Sequence, residues 1–134
     1  MDISFFLYTF AVSKIIKHLN IMNAYNYQPK TKEELRKLIE ERIKEEGNEV
    51  DLNDIDVSEI TDMSDLFYDL DKFNGNISKW DVSNVTDMIG MFDSCENFNQ
   101  DISKWNVSKV VYTDEMFDSC PIEDKYKPIF NNNI

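Results

Sequence analysis

Residues 51–75 read DLNDIDVSEITDMSDLFYDLDKFNG, and two near-copies follow directly: NISKWDVSNVTDMIGMFDSCENFNQ at 76–100 and DISKWNVSKVVYTDEMFDSCPIEDK at 101–125. Equivalent apolar residues therefore recur every 25 positions, as at Phe67, Phe92 and Phe117. A period of roughly 20 to 50 residues indicates stacked supersecondary units that share one core. A single unit buries too little apolar surface to offset the entropy of ordering its chain. We therefore expect the three copies to pack side by side.

Within each unit, the apolar residues recur first at every second position and then at nearly every fourth position. Trp80 and Val82 alternate with polar neighbours, which is typical of a short strand. Met63, Leu66 and Phe67 have the spacing of a helix, and the next unit repeats it. The pattern predicts an α/β repeat solenoid, a short stack of about three 25-residue units with an N-terminal capping helix.

Some repeat positions are invariant and others change in the third copy. Ser58, Ser83 and Ser108 are identical, and we predict that their hydroxyls bond to the backbone of the neighbouring unit. Val111 and Tyr112 replace the Thr-Asp pair of the first two copies. Terminal repeats are often atypical because one of their sides has no neighbouring repeat.

The clearest helix outside the repeats begins after Thr31. Thr31 and Glu34 form a capping box, and Gly47 is a typical C-terminal stop. Between them an apolar stripe predicts a helix over about residues 32–46 that covers the first repeat; the stripe consists of Leu35, Leu38, Ile39 and Ile43. The chain divides accordingly into a leader (1–30), a capping helix (31–50), a three-repeat segment (51–126) and a C-terminal tail (127–134).

The leader carries an apolar run that could be mistaken for a targeting segment. The run from Ile3 to Val12 is too short to span a bilayer, and no basic residue precedes it. We expect the protein to be cytoplasmic, with the cell surface as the alternative if export uses a route that the sequence does not reveal. Residues 1–21 either form a helix that lays residues such as Phe6, Phe10 and Ile16 on the domain, or precede a true start at Met22.

Negative charge is concentrated in the second part of the chain. Of the formal net charge of −12, residues 1–50 contribute nothing, with eight acidic and eight basic side chains, whereas residues 51–134 hold eighteen acidic and six basic ones. Such a surface disfavours nucleic acid and membrane phosphates; it favours a basic protein partner or simple solvation. The candidate partner-binding residues are the variable outward positions Glu59, Asp65, Tyr68, Asp69, Asp93 and Glu96.

Residues for catalysis or metal binding are scarce. Nucleophilic catalysis needs a base beside Ser or Cys, and the one histidine is His18 in the leader. Cys95 and Cys120 lie one period apart at an apolar position, so we interpret both as core residues. The segment 51–62 begins like an EF-hand calcium loop, but its ligand and glycine positions are wrong. We therefore predict no enzyme activity, no cofactor and no metal.

The units FNGNISKWDVSNVTDMIGMF and FNQDISKWNVSKVVYTDEMF resemble the repeat of the BspA-type leucine-rich-repeat family of bacterial surface proteins. The resemblance covers about residues 51–126. It implies a leucine-rich-repeat-like solenoid that binds other molecules through its surface, usually proteins, without catalytic residues. Many members are exposed at the cell surface.

These observations favour a non-enzymatic module that presents an acidic surface to a protein partner. One alternative is an acidic inhibitor, of phage or mobile-element type, that occupies the basic groove of a nucleic-acid-handling enzyme. Another alternative is a calcium-dependent surface adhesin. Direct binding to nucleic acid or to a membrane is not expected, and the sequence does not indicate an oligomeric state.

Overall fold

A computed structural model describes residues 25–131 of the chain. These residues contain one α-helix, α1 (Lys32–Glu46), and one short 3-10 helix (Asp124–Tyr126). Their β-structure consists of isolated parallel bridges, such as the one between Asp51 and Asn76, and they form no sheet. The predicted α/β repeat solenoid is therefore wrong. The expectations for Phe6, Phe10, Ile16, His18 and Met22 lie outside the described residues.

Helix α1 has the bounds and caps that the sequence predicts. Thr31 Oγ1 accepts a hydrogen bond from the Glu34 N–H at 3.2 Å, and Glu34 Oε2 accepts one from the Lys30 N–H at 2.9 Å. Gly47 ends the helix at φ +93°, with its N–H on the Ile43 carbonyl. Leu35 and Ile39 are fully buried, so the apolar stripe covers the first repeat as expected.

The buried side of α1 also includes a charged residue that the apolar stripe does not predict. Arg42 is 8% exposed. Its Nη1 donates to both carboxylate oxygens of Asp54 at 2.9 and 3.1 Å, and its Nη2 donates to the Asp51 carbonyl at 3.1 Å. It also pairs with Glu46, and its guanidinium lies 5.6 Å from the centre of the Tyr27 ring. Arg42 therefore fastens α1 to the first repeat.

The three copies lie side by side, as three layers: layer 1 (51–75), layer 2 (76–100) and layer 3 (101–125). The Trp80 and Trp105 rings stack at 6.5 Å with 6° between their planes. Phe92 stacks between Phe67 and Phe117, at 5.2 and 5.7 Å. The expected register of 25 residues is therefore confirmed, and its aromatic columns form the core.

The segments predicted as helical turns are instead a ladder of tight turns. Every second N–H bonds to the next layer: Met63, Asp65, Phe67 and Asp69 donate to the carbonyls of Asp87, Ile89, Met91 and Asp93 at 2.8–3.0 Å. The N–H groups between them close local turns, as Leu66 does onto Met63. Asp65 and Asp69 have φ of +56° and +62°, which no α-helix accommodates. A helix would keep its backbone bonds within one layer, whereas here half of them join layers.

The invariant serines do not form the predicted ladder between layers. The Ser83 hydroxyl donates to Asp81 Oδ1 at 2.5 Å within its own layer, and the Ser83 N–H donates to the same oxygen at 3.0 Å. This is an Asx turn, in which a carboxylate closes the corner two residues ahead. Amide side chains supply contacts between layers instead, as Asn84 Nδ2 does by donating to the Ser58 carbonyl at 2.8 Å.

Gly90 lies in the turn ladder at the repeat position that Asp65 and Glu115 occupy in layers 1 and 3. Its φ is +61°, and a Cβ atom there would collide with Asp65 Oδ1 of layer 1. We expect Gly90→Ala to lower the free energy of unfolding by about 1–3 kcal/mol, because it adds this collision to backbone strain. Chemical denaturation measures the change.

Gly47→Ala is the matched control for Gly90→Ala. Gly47 also has positive φ, but a Cβ atom there meets nothing within 4 Å. A loss at Gly90 no larger than the loss at Gly47 would contradict the collision. Asp65→Ala should recover part of the stability in the Gly90→Ala background.

Candidate protein-binding surface

The tight turns of the three layers form one surface, which we call the turn face: residues 62–71, 87–96 and 112–121. Hydrogen bonds between layers align it, as where the Asp69 N–H donates to the Asp93 carbonyl at 3.0 Å. Asp65, Asp69 and Glu115 have left-handed backbone in these turns, and all three are exposed. Backbone bonding between layers therefore fixes where these carboxylates lie on the face.

The turn face is uniformly acidic. Its three ranges hold ten acidic side chains and no lysine or arginine. The acidic residues are Asp62, Asp65, Asp69, Asp71, Asp87, Asp93, Glu96, Asp114, Glu115 and Asp118. Among the described residues only Asp62 of this set forms an ion pair, with Lys32 at 3.3 Å. Partial burial opposes ionisation of Asp62, but hydrogen bonds from Ser64 and the charge of Lys32 lower its pKa.

Five of the six predicted partner-binding residues lie on the turn face. Asp65, Tyr68, Asp69 and Glu96 are exposed, Tyr68 to 48%, and Asp93 is half-buried. Glu59 is the exception, because it lies at another corner of layer 1 and pairs with Lys30 at 2.7 Å.

The N-terminal end of the turn face is closed by helix α1. Arg36 Nη1 donates to the carbonyls of Leu66 and Tyr68 at 2.9 and 3.2 Å, and Lys32 Nζ donates to Ser64 Oγ at 2.9 Å. The carbonyls of layers 2 and 3 at equivalent positions accept from the layer before. Arg36 thus replaces a missing layer. Arg36 is half-buried and lies outside the apolar stripe of α1, so the sequence gave no sign of this role.

The structure places the two cysteines in or beside the core. Cys95 is fully buried, and its Sγ lies 2.9 Å from the Phe67 carbonyl oxygen. Burial raises the pKa of Cys95 from 9.0 to about 12, with a smaller contribution from Cys120. Burial also raises the pKa of the partly buried Cys120. Thiolate is the reactive form of cysteine, so neither residue is suited to nucleophilic chemistry.

We expect the buried thiol to resist modification. A pKa of about 12 instead of 9.0 reduces the thiolate fraction about a thousandfold at neutral pH. Cys120→Ala leaves Cys95 as the one thiol of the chain. In that variant a disulfide reagent should label the native protein far more slowly than the guanidinium-unfolded protein. Equal rates in the two states would contradict the packing of Cys95.

The carboxylates of the calcium-like segment close turns. In three of them, Oδ1 accepts a hydrogen bond from the N–H two residues further along the chain, at 2.8–2.9 Å; these are Asp51, Asp56 and Asp62. Asp54 is paired with Arg42. Within residues 25–131, no group of three or more His, Cys, Asp or Glu side chains has the arrangement to hold a metal ion.

Residues 33–131 match the model of a protein family described as "Mycoplasma protein of unknown function, DUF285". The chain belongs to this family. The DUF285 match includes nearly all of α1, the three layers and most of the tail. Comparison with curated proteins and with solved structures found no match. In the part of the chain that the structure describes, no helix is long and apolar enough to cross a membrane.

Proposed function

We propose that the chain is a non-enzymatic binding module whose turn face accepts a basic surface of a protein partner. The observation that supports this proposal is the set of ten acidic side chains on one face without a basic residue among them. Only Asp62 in this set has an ion-pair partner among residues 25–131. The charge of the face is therefore available to a partner.

Electrostatics favours a basic partner over other classes. Like charges held at fixed spacing repel one another, and a basic surface relieves this repulsion as it binds. Complementary charge also speeds encounter and suppresses wrong partners. Because hydrogen bonds between layers hold the backbone of the face, binding requires little further ordering of the chain.

Exposed aromatic surface supports the same proposal. Tyr68 is 48% exposed between the carboxylates of Asp65 and Asp69. Tyrosine is enriched among residues that dominate interface energetics. The resemblance of the repeat sequences to the BspA type is also consistent with a binding role. Cytoplasmic placement, with the cell surface as its alternative, stays a prediction.

The proposal is tested by removing charge from the turn face. In the variant Asp69→Asn/Asp93→Asn/Asp118→Asn, asparagine retains the shape of the side chain and tolerates the left-handed backbone at residue 69. We expect its affinity for the basic proteins that the native chain captures from source-cell extract to fall about tenfold or more, and the native binding to weaken with added salt.

The control variant Glu41→Gln/Glu45→Gln/Glu49→Gln removes the same charge outside the turn face. All three glutamates are exposed and form no ion pair within residues 25–131. We expect it to bind within about twofold of the native chain. Equal losses in the two variants, or no loss in either, would contradict the assignment of binding to the turn face.

The acidic inhibitor is a narrower form of the same proposal, in which the partner is an enzyme with a basic nucleic-acid groove. Competition separates the two forms. Duplex DNA should displace the chain from a nucleic-acid-handling enzyme, and should leave it on a partner that has no such groove. For the calcium-dependent adhesin, added calcium should raise the melting temperature. The calcium-dependent adhesin stays a prediction from the sequence.

A further inference from the structure

The turn ladder ends at layer 3 on a row of backbone donors that we call the open edge: the N–H groups of Thr113, Glu115, Phe117 and Ser119. The equivalent N–H groups of layer 2 belong to Met88, Gly90, Phe92 and Ser94. They donate to carbonyls of layer 3 at 2.8–2.9 Å. Among the described residues, the open edge has no acceptor. Glu115 and Ser119 have φ of +59° and +53°, which repeats the left-handed backbone of the layers before. Layer 3 is therefore shaped to continue the ladder.

The two ends of the ladder differ. At the N-terminal end, Arg36 donates to the carbonyls of Leu66 and Tyr68. At the C-terminal end, the chain directly after layer 3 bonds to another part of that layer, where the Ile102 N–H donates to the Tyr126 carbonyl at 3.0 Å. A second copy stacked head to tail on the open edge would have to displace Arg36 from its two carbonyls. This favours a different occupant.

Exposed apolar surface lies beside the open edge. A groove of about 460 Å³ runs along it between layer 3 and the tail, with Met116, Phe117, Pro128 and Phe130 in its walls. Tyr112 is 54% exposed where layers 1 and 2 carry aspartate, and Ile129 is 86% exposed. Exposed apolar side chains next to unpaired backbone donors are typical of a site of strand addition.

The charge around the groove specifies the occupant further. Glu115 and Asp118 line it, and both carboxylates are exposed. The one basic residue in its lining, Lys127, is committed to Asp124 at 3.0 Å and to the Phe117 ring at 5.2 Å. Two carboxylates thus remain for basic side chains of an occupant.

We propose that an extended, lysine- or arginine-bearing segment of a protein partner adds to the open edge as one further rung. An extended chain points the carbonyls of alternate residues to the same side, so it presents acceptors at every second residue, as layer 3 presents donors at every second residue. Its apolar side chains enter the groove beside Phe117, and its basic side chains pair with Glu115 and Asp118. The inference rests on the proposed function, because it names how the basic partner docks.

The test uses the full chain, labelled with nitrogen-15, and a synthetic end-blocked peptide of alternating lysine and valine. We expect the peptide to shift the amide resonances of the four open-edge residues and to slow their hydrogen exchange about tenfold or more. A peptide of alternating glutamate and valine should do neither. Glu115→Lys should weaken binding of the lysine peptide about threefold to tenfold, whereas Glu45→Lys, the same charge change at an exposed position of α1 outside the turn face, should have less than about twofold effect.

Each other outcome overturns the inference. Resonance shifts across the turn face without protection of the open edge would place the peptide on the turn face at large, and the proposed function would stand. Equal weakening by Glu115→Lys and Glu45→Lys would mean that the peptide responds to the net charge of the chain and not to the open edge. Protection that appears without peptide on raising the protein concentration would make a second copy the occupant. Protection without peptide that is lost when residues 1–24 are deleted would make that segment the occupant. If the lysine peptide does not bind, the inference fails, and capture of the basic partner decides the proposed function separately.

Discussion

Replacing Phe92 with alanine is expected to lower the free energy of unfolding by about 3–5 kcal/mol. The Phe92 ring is fully buried. It stacks on Phe67 and Phe117, and lies 4.3 Å from the Phe98 ring and 6.3 Å from the Trp105 ring, centre to centre. The cavity would open where all three layers meet, and it could not collapse without breaking bonds between layers. Urea denaturation, followed by tryptophan fluorescence, measures the loss.

Phe117→Ala is the control for Phe92→Ala. Phe117 occupies the same repeat position in the last layer, but it is only partly buried and has one phenylalanine neighbour in its column. Its removal should therefore cost clearly less. If both substitutions cost the same, the aromatic column would not be the continuous core that the stacking distances indicate.

Replacing Arg42 with methionine is expected to cost about 2–4 kcal/mol, because it leaves the half-buried Asp54 carboxylate with only its bond from Asn26 and leaves a carbonyl without its donor. Asp54 would lose both of its bonds to Arg42 Nη1, and the Asp51 carbonyl would lose its bond to Nη2. Methionine retains the length and apolar volume of the stem, so the loss reports the polar contacts. Differential scanning calorimetry at neutral pH measures it.

Two further variants isolate the Arg42–Asp54 pair. Asp54→Asn in the Arg42→Met background removes the unpaired charge and should restore part of the stability, so the two changes should be non-additive. Arg36→Met, on a more exposed turn of the same helix, should cost less than Arg42→Met. Additive losses at residues 42 and 54 would contradict a direct interaction between them.

Much of the packing could be predicted from residue spacing. The recurrence of Phe67, Phe92 and Phe117 required equivalent places in successive layers, because only stacking buries every copy of a small unit. Thr31, Glu34 and Gly47 set the ends of α1 by short-range hydrogen bonds and by backbone conformation, which depend on few residues. The zero net charge of residues 1–50 and the negative charge of the turns likewise follow from composition.

The local structure of the repeats could not be predicted in the same way. Met63, Leu66 and Phe67 have helical spacing, yet successive tight turns with left-handed residues at Asp65 and Asp69 produce the same apolar period. Nothing in residues 62–71 alone decides between the two. The choice depends on whether alternate N–H groups find acceptors in the same layer or in the next, and the acceptors lie 24 residues away.

The same distinction holds for the candidate site. Asp65, Asp69 and Asp93 were identifiable as outward positions of a repeat, but their assembly into one acidic face required the turn ladder. Glu59 has the same chemical character as these residues and lies elsewhere, paired with Lys30. Arg36, Arg42 and the open edge of layer 3 gave no periodic signal, because each acts once, at an end of the stack.

The amino-acid sequence alone therefore determined the 25-residue register, helix α1 and the acidic charge of the repeats, since these depend on recurrence and on neighbours along the chain. Only the tertiary structure decided that the repeats are turns and that their carboxylates form one face. It also decided that Arg36 closes one end of the ladder while, within residues 25–131, the donors at the other end have no acceptor. The physical reason is that a backbone N–H bonds to whichever carbonyl the packed layers bring within reach, and that choice is made between segments rather than within them.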